Sequence, residues 1–159
     1  MVKVASHAEP DDMKSAKYIS ELESGHERIK GLFRLLMEHI DTEGAQDSGA
    51  LMEVLSELRE VLIAHVRDED EIFYPAIRQR VVELRLDAFL PAIYLWYESS
   101  RFINREAGNF FERFKDERDV LRYREDFKGK LEQISKVVEE RIENEERNLF
   151  RLYNVCFPI

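Results

Sequence analysis

The sequence predicts an all-α fold, an up-down-up-down antiparallel four-helix bundle. The chain has 159 residues, of which only six are glycine and four are proline, and 36% are charged. Few helix-breaking residues favour helix along the whole chain. Four long stretches have apolar residues at steps of three and four, and no stretch alternates with the period of two typical of strands. Four such helices with short connections are typical of an antiparallel bundle.

Composition also excludes several classes of function. The formal net charge of −9 argues against electrostatic binding to nucleic acid or to anionic lipid, so we expect neither as a partner. The chain has one cysteine, Cys156, and therefore has no internal disulfide. No apolar run of about 18 residues and no secretory signal occur in the sequence. We therefore expect a cytoplasmic location.

The first helix is predicted over residues 15–41. Residues 1–14 show no periodicity, and we interpret them as a flexible N-terminal arm that precedes a single domain over residues 15–159. The apolar face of the helix contains His26 in the same row as Ile19, Leu22, Ile29, Phe33, Leu36 and Ile40. A loop follows, with Gly44 as the residue that ends the helix.

The other three helices are predicted over residues 49–80, 89–114 and 120–153. The third is the least regular, since its apolar residues form a broad face. Pro91 lies either in its first turn or at a kink within a longer element. Residues 115–119 are all charged, and we predict a polar connection there.

Ionisable residues lie near the middle of three of these apolar faces. His26 is on the first helix, His65 and Glu69 are on the second, and Arg141 and Glu145 are on the fourth. Each of the two pairs has a spacing of four residues, which places both members on one face. Because an unpaired buried carboxylate costs several kcal/mol, Glu69 and Glu145 require a cation or a hydrogen-bond donor.

Counting along the chain predicts that these residues share one layer of the core. His26 and His65 are equidistant from the centre of the first loop, so an antiparallel hairpin places them at the same height. Reflecting Arg141 through the connection near residue 119 brings residues 97–99 to that layer. Two histidines and a glutamate on facing helices are a ligand set for iron, zinc or manganese. For either histidine, the alternative to metal binding is a buried side chain that is hydrogen-bonded to a carboxylate.

Three sequence segments resemble those of a known family. The stretch HVRDEDEIFYP at residues 65–75 resembles the second-helix motif of hemerythrin-like (HHE cation-binding) domains. GHERI at residues 25–29 is similar to their first-helix histidine segment, and RIENEERNLF at residues 141–150 to the fourth-helix copy. The resemblance implies a four-helix bundle with two iron atoms bridged by carboxylates and oxygen. It also implies roles in oxygen transport, in oxygen, redox or iron sensing, or in defence against nitric oxide.

One half of the di-iron site implied by the resemblance is degenerate. Arg141 stands where the family has its fourth-helix histidine. The third-helix histidine aligns with Ser99, next to Glu98, and that helix contains no histidine. We expect Arg141, Ser99 and Glu98 to surround or replace the second metal. A guanidinium is suited to this position because it is permanently charged and its fork of donors matches carboxylates.

The other half-site is intact, and two hypotheses follow from it. In the first, His26, His65, Glu69 and Glu145 hold one iron or another divalent metal, with water, O2 or NO as a small ligand. The protein then has a sensing or storage role and does not transport oxygen. In the second, no metal binds, and Arg141 forms a closed network with the carboxylates. The chain is then a degenerate bundle with a structural or protein-interaction role.

An enzymatic function is the less favoured interpretation. Two histidines and a carboxylate resemble the facial triad of iron oxygenases, but that chemistry needs an open coordination position and a substrate pocket. No serine-protease-like motif, P-loop or zinc-protease motif occurs. Since the sequence indicates no output domain, we expect a signalling role to require a separate partner or a homo-oligomer.

Overall fold

The computed structural model describes residues 16–41 and 48–158, and all regular secondary structure within them is helical. In chain order the elements are α1 (Ala16–Asp41), α2 (Ser48–Asp68), a π-helical turn (Glu69–Phe73), α3 (Tyr74–Glu83), a 3-10 turn (Asp87–Phe89), α4 (Leu90–Arg113), α5 (Glu117–Arg122), α6 (Arg124–Asn144), a second π-helical turn (Glu145–Leu149) and α7 (Phe150–Cys156). The prediction of an all-α bundle is confirmed.

Four long rods form the bundle. Two of them are composite, since α2 continues through the first π turn into α3, and α6 continues through the second into α7. Helix α1 packs against α2 and α6, and α4 packs against α3 and α6. The Arg124 side chain donates to the carbonyl of Ile40, and Arg80 Nε donates to the carbonyl of Cys156 at 3.0 Å. The end of α1 therefore meets the start of α6, while α3 and α7 end together, as alternating rods require.

The apolar core consists of two clusters of buried side chains. The larger cluster fills the end of the bundle near α5, with Leu36, Leu58, Phe114 and Phe127 among its most buried members. The smaller fills the opposite end and includes Phe73, Ile77, Leu149 and Tyr153. Among the buried polar residues are His26, Glu69, Ser100 and Glu145, each at most 2% exposed. These polar residues have an apolar cluster toward either end of the bundle, and this packing excludes water from them.

The structure differs from the predicted helix boundaries by a few residues at several ends, and most in the connection before the fourth rod. The predicted polar connection over residues 115–119 is partly helical, because α5 begins at Glu117. The helix is interrupted at Tyr123, whose φ and ψ are −113° and 43°. Buried Val120 anchors this short helix to the larger cluster. Pro91 lies in the first turn of α4, where its missing N–H is tolerated.

Some predictions concern residues outside the described ranges. The arm over residues 1–14 and the helix stop at Gly44 are among them. Within residues 16–41 and 48–158, no helix combines the length and the apolar character that crossing a bilayer requires.

Candidate metal centre

Two histidines and two glutamates converge in the middle of the bundle. One donor atom from each of His26, His65, Glu69 and Glu145 lies within 4.8 Å of the other three. His26 Nε2 is 3.5 Å from Glu69 Oε1 and 3.3 Å from Glu145 Oε2, and His65 Nε2 contacts Glu69 Oε1. Metal–ligand bonds to nitrogen and oxygen are about 2.0–2.2 Å, so two donors that share one ion lie no more than about twice that length apart. The distances from His26 Nε2 to the two carboxylate oxygens meet this limit.

Both imidazoles present a buried nitrogen without a partner. His26 Nε2 and His65 Nε2 have no hydrogen bond of suitable geometry, although carboxylate oxygens lie beside them. An unmet buried polar atom is costly, and native proteins rarely leave two together. These nitrogens and the adjacent carboxylate oxygens are donors that a borderline divalent ion accepts, so the residues fit such an ion.

Arg141 engages the outer oxygen of each carboxylate. Its Nη2 donates to Glu69 Oε2 at 2.8 Å, and its Nε donates to Glu145 Oε1 at 3.1 Å. The other oxygens of the same carboxylates, Glu69 Oε1 and Glu145 Oε2, face the histidines. Each carboxylate thus spans from the histidine pair to the guanidinium. The Arg141 side chain is 8% exposed, so it brings a fixed positive charge into the core.

Tyr74 and Glu146 complete the network. The Tyr74 hydroxyl donates to Glu145 Oε1 at 2.8 Å and accepts from Arg141 Nη2 at 2.9 Å. His26 Nδ1 lies 3.0 Å from Glu146 Oε1, and we assign the Nδ1 proton from that acceptor. A histidine that donates through one ring nitrogen presents the other toward a metal, and the outer carboxylate fixes the orientation of the ring.

A π-helical turn begins at each of the two glutamates. One runs over Glu69–Phe73 and the other over Glu145–Leu149. The residue four positions before each glutamate contacts it: His65 contacts Glu69, and Arg141 contacts Glu145. A π turn inserts an extra residue into the helix and is frequent at functional sites. In this chain the glutamates that start both turns are buried, and so are Phe73 and Leu149, which end them.

Gly25 makes room for the His65 ring. A Cβ atom at this position would lie 2.8 Å from His65 Nδ1 and 3.2 Å from His65 Cε1. The close approach of α1 to α2 therefore depends on the absence of a side chain at Gly25. A glycine inside a helix costs about 1 kcal/mol relative to alanine, and here the packing accounts for it.

Gly25→Ala is expected to weaken metal binding by about tenfold without unfolding the protein, because the new methyl group displaces the His65 ring. Gly31→Ala on the same helix is the matched control, since no atom lies within 4 Å of its added Cβ. The affinity for Zn²⁺ or Fe²⁺, measured by competition with a chromophoric chelator, checks this. Equal affinities of the two variants would show that His65 is not a ligand.

The charges of this cluster shift one another's protonation. Burial lowers the pKa of His26, but the nearby carboxylates of Glu145, Glu69 and Glu146 outweigh it and raise that pKa to about 10. Burial also raises the pKa of Glu69, yet His26, His65 and Arg141 hold it well below its usual range. For Glu145, burial and the nearby charge of Glu69 raise the pKa. Without a metal, His26 is therefore an imidazolium at neutral pH.

The stability of the metal-free protein should fall in alkaline solution because of His26. The folded-state pKa of about 10 lies above the ordinary histidine pKa of 6.5, so the stabilisation is fully present below pH 6.5 and is lost as pH rises toward 10. Urea unfolding with chelator present checks this, because His26→Gln should lack that part of the decline. A constant free-energy difference between wild type and variant across the range would contradict the assignment.

Comparison with known proteins identifies the family. A family model described as the hemerythrin HHE cation-binding domain matches residues 17–153, which is most of the chain. The chain belongs to this family. Neither the curated proteins nor the solved structures contain a match to the chain. The hemerythrin-like domain covers all four rods described above, together with the histidine and glutamate cluster.

The structure places the remaining predicted site residues away from the cluster. Glu98 of this hemerythrin-like chain pairs instead with Arg101 at 3.8 Å, and its side chain is 43% exposed. Ser99 is half-buried, whereas its neighbour Ser100 is fully buried and donates to Asp70 Oδ1 at 2.7 Å. The expectation that Ser99 and Glu98 surround or replace the second metal stays a prediction. One step along a helix turns a side chain by about 100°, which counting residues along the chain does not reveal.

Sequence reasoning missed three residues of this site. Tyr74 lies within the motif that carried the family resemblance, and Glu146 follows Glu145 in an acidic pair. Gly25 precedes His26, and a glycine inside a helical pattern is a signal for close packing. Each of the three was therefore visible in the sequence as a neighbour of a predicted site residue.

Proposed function

We propose that this hemerythrin-like domain binds one divalent metal ion, with iron as the first candidate, through His26, His65, Glu69 and Glu145. The observation that carries the proposal is the pair of buried, unpartnered histidine Nε2 atoms beside two carboxylates. Two neutral imidazoles and two carboxylates suit iron, zinc and manganese, whereas magnesium prefers oxygen ligands alone.

The limit of one ion follows from Arg141. Its guanidinium binds Glu69 Oε2 and Glu145 Oε1, the oxygens that face away from the histidine pair. A second cation would need the same oxygens, and among the residues that the structure describes the remaining histidine, His39, lies in the last turn of α1, away from them. Arg141 thus supplies the positive charge that a second metal would bring, through a group whose position is fixed by three hydrogen bonds.

We propose a sensing role for this site. One ion in a chain of 18.9 kDa gives little storage capacity. Reversible oxygen transport is disfavoured because a single metal does not supply the second electron that a di-iron pair supplies. When bound, the ion would offer Lewis acidity and a coordination position for water, O2 or NO. A signal would then pass to a separate protein or to a second copy of the chain.

The chain's own residues define how such a site works. Glu146 orients the His26 ring through Nδ1, and the Phe150 ring stacks on that imidazole at 5.7 Å between centroids with 2° between planes. Phe150 and Phe73 exclude water from this side, since they are 4% and 0% exposed. Arg141 offsets the carboxylate charge whether or not an ion is present.

A metal-free interaction module is the second candidate, favoured by one observation. Arg141 and protonated His26 together balance the charges of buried Glu69 and Glu145, so these two carboxylates are compensated without an ion. In that case the bundle is a scaffold and its surface carries the function.

The thermal stability of chelator-treated protein distinguishes the two candidates. Anaerobic Fe²⁺, or Zn²⁺ or Mn²⁺, should raise the Tm by about 5–10 °C at concentrations near 100 times the Kd. Mg²⁺ should leave it unchanged, and the His39→Ala variant should respond as the wild type does. If none of the three metals raises the Tm, the metal-free candidate stands.

A further inference from the structure

A cavity of about 540 Å³ lies between α3 and α4, outside the candidate metal centre. Its walls are Asp70, Tyr74, Pro75, Arg78, Leu90, Ile93, Tyr94 and Tyr97. This volume is within the range of sites that bind small molecules, about 300–1,000 Å³. Tyr74 is shared by the two sites, because its hydroxyl binds Glu145 and Arg141 while its ring lines the cavity.

Two opposite charges face this cavity without an ion-pair partner. Within residues 16–41 and 48–158, Asp70 accepts a hydrogen bond from Ser100 at 2.7 Å but forms no ion pair. Over the same ranges Arg78 has neither a hydrogen bond nor an ion pair, whereas nearby Arg80 pairs with Glu83 at 3.1 Å. Arg78 is eight positions after Asp70, which corresponds to about 12 Å along a helix, so the two charges do not neutralise each other.

Tyr74 and Tyr97 give this cavity aromatic walls, and Tyr97 lies one turn before Ser100, which donates to Asp70. The rings of Tyr74 and Tyr97 meet at 78° with centroids 6.5 Å apart, which forms a corner of two phenol rings. Tyr94 is 62% exposed and lies toward the solvent side. Aromatic faces beside a carboxylate favour an organic cation. The apolar side chains of Leu90 and Ile93 offer contacts to an aliphatic body.

We propose that this cavity binds a small zwitterion with a short aliphatic body. Its ammonium group lies at Asp70 and Tyr97, and its carboxylate lies at Arg78. A carboxylate and a guanidinium without ion-pair partners at opposite ends of one cavity select for both charges on one ligand, because a ligand with one charge leaves one end without its ion pair. The metal ion has no part in this recognition.

Isothermal titration of the chelator-treated protein with ε-aminocaproate tests the proposal. Caproate and n-hexylamine serve as probes with one charge each. The zwitterion should bind saturably with a Kd of about 1 mM or tighter, and each single-charge probe about fivefold more weakly. Absence of saturable binding by ε-aminocaproate, or equal affinity for all three probes, would overturn the proposal.

Variants at the two ends then assign the charges. Arg78→Gln should remove the preference for ε-aminocaproate over n-hexylamine, and Asp70→Asn should remove its preference over caproate. Glu71→Gln is the matched control beside Asp70, since Glu71 is exposed and does not line this cavity. Arg78 is exposed, so its replacement is compatible with folding. Unchanged preferences in Arg78→Gln would contradict the proposed orientation whatever the fate of Asp70→Asn.

Discussion

Replacing Arg141 with leucine should cost the metal-free protein about 3–5 kcal/mol of its free energy of unfolding. The reason is that Glu69 and Glu145 would remain buried without their guanidinium partner. Their side chains are 3% and 1% exposed, so water does not replace the three hydrogen bonds that Arg141 makes. Urea unfolding in the presence of chelator measures the loss.

Arg147→Leu is the matched control for this prediction. It removes an arginine from the same rod, with an ion pair to Glu143 at 2.5 Å, but that side chain is 63% exposed. The expected loss is below about 1 kcal/mol, as for other exposed pairs. If Arg141→Leu cost no more than Arg147→Leu, the guanidinium would not balance buried charge. Addition of the metal should recover part of the loss in Arg141→Leu, since a bound cation offsets the same carboxylates.

Replacing His65 with alanine should weaken metal binding by at least about 100-fold, or roughly 2.7 kcal/mol. The substitution removes one of the two nitrogen donors and leaves the carboxylates in place. The His65 side chain is 11% exposed and lies at the edge of the cluster, so we expect the metal-free variant to fold. Competition with a chromophoric chelator measures the affinity.

His39→Ala is the control for the loss of a histidine. His39 lies in the last turn of α1, more than three turns from His26, and it is absent from the cluster of donor atoms. Its removal should leave the affinity unchanged. An affinity of His65→Ala equal to that of His39→Ala would exclude His65 from the site.

The periodicity of apolar residues was sufficient to predict the bundle. Long stripes such as the one from Leu22 to Ile40 are visible in the sequence because burial of one helix face requires them. The same counting predicted that His26 and His65 lie at one height, and their ring centroids are 4.7 Å apart. The prediction succeeded because the relation depends only on the length of the two helices and the centre of their loop.

Counting residues does not predict the rotation of a helix about its axis. The layer predicted for α4 was residues 97–99, but the buried serine is Ser100, which binds Asp70 rather than the guanidinium. The π turns at Glu69 and Glu145 were also not predicted. The extra residue of a π turn is not visible in the spacing of apolar residues, because the residues that end both turns are ordinary core residues.

The two composite rods carry related segments with different chemistry. In one, His65 precedes Glu69 by four residues, and in the other Arg141 precedes Glu145 by the same spacing. Each of the two residues contacts the glutamate that begins its π turn. A single exchange of histidine for arginine at this position replaces a proposed metal ligand with a permanent cation.

The metal content of the loaded protein tests this account most directly. Chelator-treated protein would be saturated with Fe²⁺ under anaerobic conditions and desalted, and its iron would be measured by elemental analysis against protein concentration. We predict about one ion per chain, reduced to nearly zero in His65→Ala. Two ions per chain would contradict the claim that Arg141 takes the place of the second cation, and no ion would contradict the proposed metal centre itself.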